Sequence, residues 1–352
     1  MKAVLLAGGF GTRLRPLTLN TPKPIVPIFD RPFLRYQVEL LKQLPDIDEV
    51  VLSLNYQHEQ IERVLGGSDQ CLRLRYEVEP SPLGTGGAIK YATRGVEGTV
   101  LVFNGDVLTD IDLRSVLSMH RERKARATIV LTPVDNPEAY GLVETDERGN
   151  VTRFLEKPDP NDVTCNTINA GIYVLESDTF DRIPPDTPWS VERQYFPSLV
   201  ERGETFVAYI DRGYWLDIGT PEKYLQAHHD IMSGGCVAYP FAGHDSGTPL
   251  VAPDARVDAD AHLEGPCFIG SEARVDAGAR VAPFSVVGPR CTVGTEAVVN
   301  GAVLWPESTI GAHAHVDRTI IGRGVQIGNH ATVGSGTVVG DQSQITSYSR
   351  LR

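Results

Sequence analysis

Residues 251–299 read VAPDAR VDADAH LEGPCF IGSEAR VDAGAR VAPFSV VGPRCT VGTEAV V, and written in sixes they fall into register. After Val251 an aliphatic side chain stands at every sixth place: Val257, Leu263, Ile269, Val275, Val281, Val287, Val293 and Val299. Four residues beyond each come Ala255, Ala261, Cys267, Ala273, Ala279, Ser285, Cys291, Ala297 and Val303, small in eight of nine cases. The register slips near Trp305 and near Asp317, then resumes at Ile321, Ile327, Val333, Val339 and Ile345, often followed by glycine. A hexapeptide period implies a parallel β-helix, in which stacked coils bury one aliphatic residue from every six into a continuous column.

The repeat resembles the left-handed β-helix of hexapeptide-repeat proteins, where three hexads make one triangular coil. That fold is expected for residues 250–352. Ser233–Pro249 is rich in Gly, Pro, Ser and His and reads as a linker, so residues 1–232 form a domain of their own. In that domain Lys2–Ala7, Glu49–Leu54, Thr99–Phe103, Ala127–Thr132 and Ala170–Leu175 are short β-branched runs that read as buried strands. Phe33, Leu34, Val38, Leu41 and Leu44 recur at helical spacing, and Pro221–Ile231 is a second amphipathic helix. Alternation of strands and helices implies an α/β fold, a Rossmann-like mixed sheet with helices on its faces.

Composition narrows the function. At 352 residues the chain has room for two cores, and its 41% hydrophobic content is that of a globular protein. A formal net charge of −12 argues against a nucleic-acid or anionic-membrane partner, both of which need a basic face. The apolar start Met1–Ala7 stops at Gly8-Gly9, too short for a signal-peptide core, and no later run approaches a bilayer span. Cys71, Cys165, Cys236, Cys267 and Cys291 lie far apart with no CxxC pair. They read as reduced, mostly buried thiols, which places the protein in the cytoplasm.

Directly after the first strand comes Gly8-Gly9-Phe10-Gly11-Thr12-Arg13. Glycines there let backbone N–H groups turn inward and approach phosphate oxygens that a Cβ would keep away. The loop lacks the Gly-Lys-Ser/Thr ending of a Walker A loop, and Leu14 takes the place of the last glycine of GxGxxG. Alone it is compatible with a plain βα connection. It continues, however, through Leu14-Arg15-Pro16-Leu17-Thr18 to Pro22-Lys23-Pro24, and this long stretch resembles the signature of the sugar-phosphate nucleotidyltransferases. The resemblance extends to Asn104-Gly105-Asp106, Glu156-Lys157-Pro158, Asn169-Ala170-Gly171 and Trp215-Leu216-Asp217-Ile218-Gly219-Thr220-Pro221, and with the hexapeptide repeats it covers nearly the whole chain.

That resemblance implies a set of roles. Ala7, Gly8, Gly9, Gly11 and Thr12 hold the nucleotide, while Arg13 and Lys23 face the triphosphate and the reacting phosphoryl group. Chemistry agrees: attack of a sugar phosphate on an α-phosphorus brings two anions together, and fixed cations with a divalent metal lower that barrier. Asp106 follows the apolar run Val100–Phe103, at the strand end where α/β sheets place ligands, and Asp217 follows Tyr214-Trp215-Leu216. The pair matches the family's two Mg²⁺ ligands, although either alone would pass for a turn former. Lys157 contacts the sugar phosphate, with Glu156, Asn169 and the backbone of Gly141 toward the sugar.

Glu79-Pro80-Ser81-Pro82-Leu83-Gly84-Thr85-Gly86-Gly87 resembles the base-binding segment, with Glu79, Gly84 and Thr85 as its contacts. A carboxylate accepts the adjacent N1–H and 2-amino donors of guanine, so Glu79 favours GTP if it points at the base. An exposed glutamate at a strand end is the alternative. The Leu-Gly-Thr sequence resembles that of family members that use mannose 1-phosphate, and the resemblance implies that sugar. Heptose-1-phosphate guanylyltransferases and glucose-1-phosphate thymidylyl- or uridylyltransferases remain open, as does a non-catalytic subunit that senses nucleotide sugars. The β-helix is expected to serve oligomerisation or regulation, and His262, His313, His315 and His330 are the candidate bases if it has an activity of its own.

Overall fold

The computed structural model describes residues 1–69, 72–137, 140–156 and 165–352. By its internal contacts the chain forms two compact units, one of Met1–Gly9 with Gln37–Trp215, the other of Phe10–Tyr36 with Leu216–Arg352.

The first unit is built on a mixed sheet. Along the chain run β1 (Lys2–Leu6), α1 (Leu34–Leu41, in this unit from Gln37 on), β2 (Glu49–Leu54), α2 (His58–Leu65), β3 (Leu72–Val78), α3 (Gly84–Ala92), β4 (Thr99–Asn104) and α4 (Leu113–Glu122). Then come β5 (Ala127–Pro133), β6 (Gly141–Thr145), β7 (Val151–Glu156), β8 (Thr167–Glu176), α5 (Phe196–Glu201) and β9 (Phe206–Ile210). The strands expected from β-branched runs all form. Strands β3, β2, β1 and β4 are parallel neighbours in that order, the arrangement of a Rossmann half-sheet. β8 then pairs antiparallel with β4, and β5, β6, β7 and β9 complete the sheet beyond it.

Chain order reverses between β1 and β4. Their C-terminal ends lie side by side, with Leu6 opposite Asn104. A crevice for ligands opens at such a switch point, so the sheet alone directs attention to Ala7–Gly9 and Asn104–Asp106. The middles of the strands leading there are apolar and buried: Ala3, Val4 and Leu5 in β1, Val100, Leu101, Val102 and Phe103 in β4.

In the second unit the hexapeptide repeats make three stacks of six two- or three-residue parallel strands, a left-handed β-helix. Val251, Ile269 and Val287 pair in succession, eighteen residues apart, as three hexads per coil require. Val287 then pairs with Leu304 and Leu304 with Ile321, each step one residue short. The first short turn falls between Val299 and Leu304, just ahead of Trp305. Ala302 and Leu304 occupy the buried column while Val303 lies outside it, so the one bulky residue in the small-residue row was simply out of register. Helix α6 (Pro221–Met232) belongs to this unit, capped by the Thr220 hydroxyl with Pro221 in its first turn.

Residues 10–36 complete the unit as three 3₁₀ turns, Thr12–Leu14, Leu17–Leu19 and Lys23–Ile25, followed by a tight hairpin of Pro27–Ile28 with Arg31–Pro32. Five prolines (Pro16, Pro22, Pro24, Pro27 and Pro32) fix φ along it, and Leu14, Leu17, Ile25, Val26 and Ile28 are buried. No helix among the described residues is long and apolar enough to cross a membrane.

Candidate active site

In the first unit the expected nucleotide residues gather at the switch point. Ala7 donates its N–H to Ser53 O at 2.9 Å, which continues the β1–β2 ladder past the strand and aims Gly8 and Gly9 outward. A Cβ on Gly8 would stand 3.3 Å from the backbone nitrogen of Asn55 and 3.6 Å from Glu79 Oε1, whereas one on Gly9 would meet nothing. Gly105 lies so close to β1 that a Cβ would come within 2.5 Å of Leu6 O, which explains the glycine before Asp106. Asp106, which follows it, is half-buried. Two residues earlier, Asn104 Oδ1 is buried without a hydrogen-bond partner.

Glu79 is buried rather than exposed. Its Oε1 accepts from the Ser53 hydroxyl at 3.1 Å and its Oε2 from the Leu83 N–H at 2.9 Å, while burial raises its pKa. Each oxygen keeps a second lone pair for a base donor. Gly84 and Thr85 turn toward the segment after Pro185. Gly84 has φ +68°, and its Cβ would come 2.8 Å from Trp189 O. That same carbonyl accepts the N–H groups of Gly86 and Gly87, two of the orphan donors at the start of α3. The Thr85 hydroxyl donates to Glu192 at 2.9 Å and accepts from the Val191 N–H at 2.9 Å. This 189–192 support carries no motif and is not legible in the sequence.

Of the residues expected to meet the sugar, Gly141, Glu156 and Asn169 lie on neighbouring strands. Gly141 opens β6 directly opposite Glu156 of β7, and Leu142 pairs with Ile168 beside Asn169. Asn169 donates to Tyr173 Oη at 2.9 Å and accepts from the Gly171 N–H at 2.9 Å, across an irregularity in β8. Trp215 donates its indole N–H to Ala170 O at 2.8 Å and lies edge-on to Tyr140. Lys157 lies outside the described residues.

In the second unit Gly11 and Lys23 are packed together. Gly11 has φ +61°, and a Cβ there would stand 3.0 Å from Lys23 Cβ and 3.2 Å from Thr18 Cγ2. The Thr18 hydroxyl donates to Gly11 O at 2.7 Å, closing the loop on itself. Lys23 is only 9% exposed, rare for a lysine and a sign of a fixed cation rather than a solvated one. Thr12 and Arg13 are exposed. The Arg13 guanidinium and the Asp217 carboxylate meet at Gly219, whose Cβ would fall 2.6 Å from Arg13 Nη2 and 2.7 Å from Asp217 Oδ1. Asp217 is buried, accepts from the Gly219 N–H at 3.2 Å and is in an ion pair with Lys223, a partner the sequence analysis did not find.

Among the described residues no three His, Cys, Asp or Glu side chains cluster tightly enough to hold a metal ion by themselves. A hard cation taking one or two carboxylates and otherwise phosphate oxygens and water fits such a donor set, and the unpartnered Asn104 oxygen near Asp106 adds to it. The histidines of the β-helix stand apart from this chemistry. His313, His330 and Tyr348 stack along one corner at 4.7 and 4.8 Å, each at positive φ, with Glu296 3.2 Å from His313 Nδ1.

A mixed α/β sheet with a glycine-rich loop after its first strand, joined to a hexapeptide solenoid, defines a class. A family model described as Nucleotidyl transferase matches residues 2–234, and one described as EIF2B subunit epsilon LbH domain matches residues 250–351. The chain belongs to the nucleotidyl transferase family. It is 40% identical over 282 residues to a mannose-1-phosphate guanylyltransferase of Mycobacterium tuberculosis, covering 79% of this chain and 77% of the relative. A UTP–glucose-1-phosphate uridylyltransferase of Synechocystis is 32% identical, covering 87% of this chain and 83% of its own. Among solved structures, HddC from Yersinia pseudotuberculosis complexed with GMP-PN is 30% identical with a TM-score of 0.56, over 65% of this chain and 99% of that one.

Proposed function

We propose that this protein joins GTP and α-D-mannose 1-phosphate to make GDP-mannose and pyrophosphate. The observation that carries the choice is the 40% identity to a mannose-1-phosphate guanylyltransferase along 79% of the chain. Relatives of the same description in Arabidopsis thaliana, at 37% and 36% identity, support it.

A nonbonding oxygen of the sugar phosphate attacks the α-phosphorus of GTP in line, the new P–O bond forms, and pyrophosphate leaves. Backbone N–H groups of residues 8–12 hold the triphosphate, and Arg13 and Lys23 offset charge that builds on the leaving group. Lys23, buried against Gly11, needs no reorganisation to do so. Asp106 and Asp217 would hold Mg²⁺, which when bound neutralises phosphate charge. Glu79, held by Ser53 and Leu83, would read guanine, with Gly84 and Thr85 shaping the base pocket. Gly141, Glu156, Lys157 and Asn169 would take the sugar phosphate and its hydroxyls. The reaction needs no covalent enzyme intermediate. We place it in the cytoplasm, in a homo-oligomer joined through the β-helix.

One substrate panel tests the reading. Four nucleoside triphosphates are crossed with mannose, glucose and heptose 1-phosphates, with and without Mg²⁺, and pyrophosphate release is followed. GTP with mannose 1-phosphate should be fastest and should require the metal. Asp106→Ala and Asp217→Ala should each lose about a hundredfold or more. Faster turnover of UTP with glucose 1-phosphate would replace the reading by that of the Synechocystis relative. Nucleotide-sugar binding without pyrophosphate release would make the protein a sensor.

A further inference from the structure

The loop that carries Arg13 and Lys23 is gripped by the hexapeptide unit through contacts that no motif marks. Trp305, fully buried just past Leu304 of the β-helix, donates its indole N–H to the Tyr224 hydroxyl at 2.9 Å. Tyr224, in α6 and also buried, donates that hydroxyl to Pro27 O, four residues after Lys23. One helical turn on, His228 bonds through Nδ1 to Tyr224 O at 2.9 Å and accepts the Phe29 N–H on Nε2 at 3.1 Å. Phe29 is held at φ 56°, a conformation disfavoured for a bulky residue. Its ring packs on His228, Phe241 and Phe268 at centroid distances of 4.9, 5.5 and 5.3 Å. A second grip lies upstream of Lys23: a Cβ on Gly340, in the last full coil, would stand 3.0 Å from Pro16 Cβ.

Such an arrangement is more than filler. A backbone held in a sparsely populated conformation persists only where its surroundings over-determine it. Here the surroundings are His228, Phe241 and Phe268, with Tyr224 and Trp305 holding Pro27 two residues before, and none of the five has a place in the reaction. Each polar atom of the chain is buried, so removing one leaves the next without its partner. The hairpin at Pro27–Pro32 is continuous with the 3₁₀ turn of Lys23, and that turn with Gly11.

We infer that Trp305 and Tyr224 are positioning residues for the phosphate-facing loop, so that the β-helix sets the rate of the transfer step through a hydrogen-bond chain ending at Pro27. This rests on the nucleotidyl-transfer reading above. A misplacement of an ångström at a catalytic cation is worth one to two powers of ten in rate, and it need not change ground-state binding.

The test uses the full chain with whichever substrate pair the wild type turns over fastest. Tyr224→Phe and Trp305→Phe should each lower kcat about tenfold with both KM values within about twofold. Because both break one chain, the double variant should be no slower than the worse single variant. Hydrogen exchange by mass spectrometry should show residues 23–33 of Tyr224→Phe exchanging faster while β4 stays protected. If Trp305→Phe does not fold, Gly340→Ala replaces it: it pushes Pro16 from the β-helix side and should lower kcat with an unchanged melting temperature. Unchanged kcat in folded Tyr224→Phe and Gly340→Ala, or losses that multiply in the double variant, would overturn the inference. A wild type inactive with every pair in the panel would instead sink the functional reading, whereas faster exchange at residues 23–33 would still be expected.

Discussion

Gly219 is the point at which Arg13 and Asp217 leave no room for a side chain. Its own φ is unremarkable for any residue, so the glycine is required by space: a Cβ would fall within 3 Å of both the guanidinium and the carboxylate. The obstructed atoms are the ends of flexible side chains, which an alanine would push aside without unfolding the protein. Gly219→Ala should therefore keep its melting temperature within a few degrees and lose about tenfold or more in kcat/KM, as steady-state pyrophosphate release would show. Equal turnover would mean that Arg13 tolerates displacement and is not a phosphate clamp. His228 makes a different single-residue prediction. Burial lowers its pKa to about 4, against about 6.5 in an unfolded chain. Above pH 6.5 both states are neutral and the stability it supports is fully present. As pH falls toward 4 only the unfolded chain takes the proton, and stability drops by about 1.4 kcal/mol per pH unit. Urea unfolding between pH 4 and 7 should be steeper for the wild type than for His228→Gln, whose amide cannot titrate; equal slopes would contradict a neutral buried imidazole.

At the scale of elements, α3 shows what one sequence can and cannot tell. The run Gly84-Thr85-Gly86-Gly87 resembles a base-binding segment, yet each of these residues also has a packing reason to be what it is. Gly84 and Gly86 lie against Trp189 O, Gly87 lies 2.8 Å by its would-be Cβ from Thr187 O, and the Thr85 hydroxyl ties the helix to Val191 and Glu192. Gly84→Ala places a side chain at φ +68° and 2.8 Å from a backbone carbonyl. The left-handed conformation alone costs about 1–2 kcal/mol, so a loss of roughly 2 kcal/mol or more is expected in chemical denaturation. A neutral result would show that the 187–190 segment gives way. The strands were legible because buried parallel strands need unbroken apolar runs, and β1, β2 and β4 have them. The solenoid was legible because its period is its packing. Partners fixed by tertiary approach were not: Lys223 reaches Asp217 across a turn into a helix, and Trp305 meets Tyr224 across eighty-one residues. The first register slip lies just ahead of Trp305, where it was expected, but Val303 stands where the small residue should be and only coil stacking reveals Ala302 in its place.

For the whole molecule, the ends of the solenoid matter most. Interior coils are sealed on both sides, with Val275, Val281, Val287, Val293 and Val299 at most 1% exposed. The first coil is not: Val251 is 37% exposed, Val257 and Leu263 are only half-buried, and the strands they sit on each pair on one side alone. Solenoids need a polar cap at such an end, and an open strand edge with aliphatic residues along it is a template for pairing with another chain. A second copy of this chain offers the same three strands and the same apolar column, which a two-fold contact would bury on both sides. The acidic residues Asp254, Asp258 and Asp260 in the same coil oppose such a contact at low ionic strength, so salt should strengthen it. Light scattering should accordingly give a mass that is a multiple of 38.4 kDa, with the multiple holding to lower protein concentration as salt rises. Leu263→Glu should release monomers whose α/β unit keeps its fold, because the substituted coil is an end coil and the coils beyond it keep their own pairing. A monomer in the wild type at every salt concentration would mean that the first coil is stable as an uncovered edge, and the β-helix would then act within one chain alone, through its grip on the loop of Arg13 and Lys23.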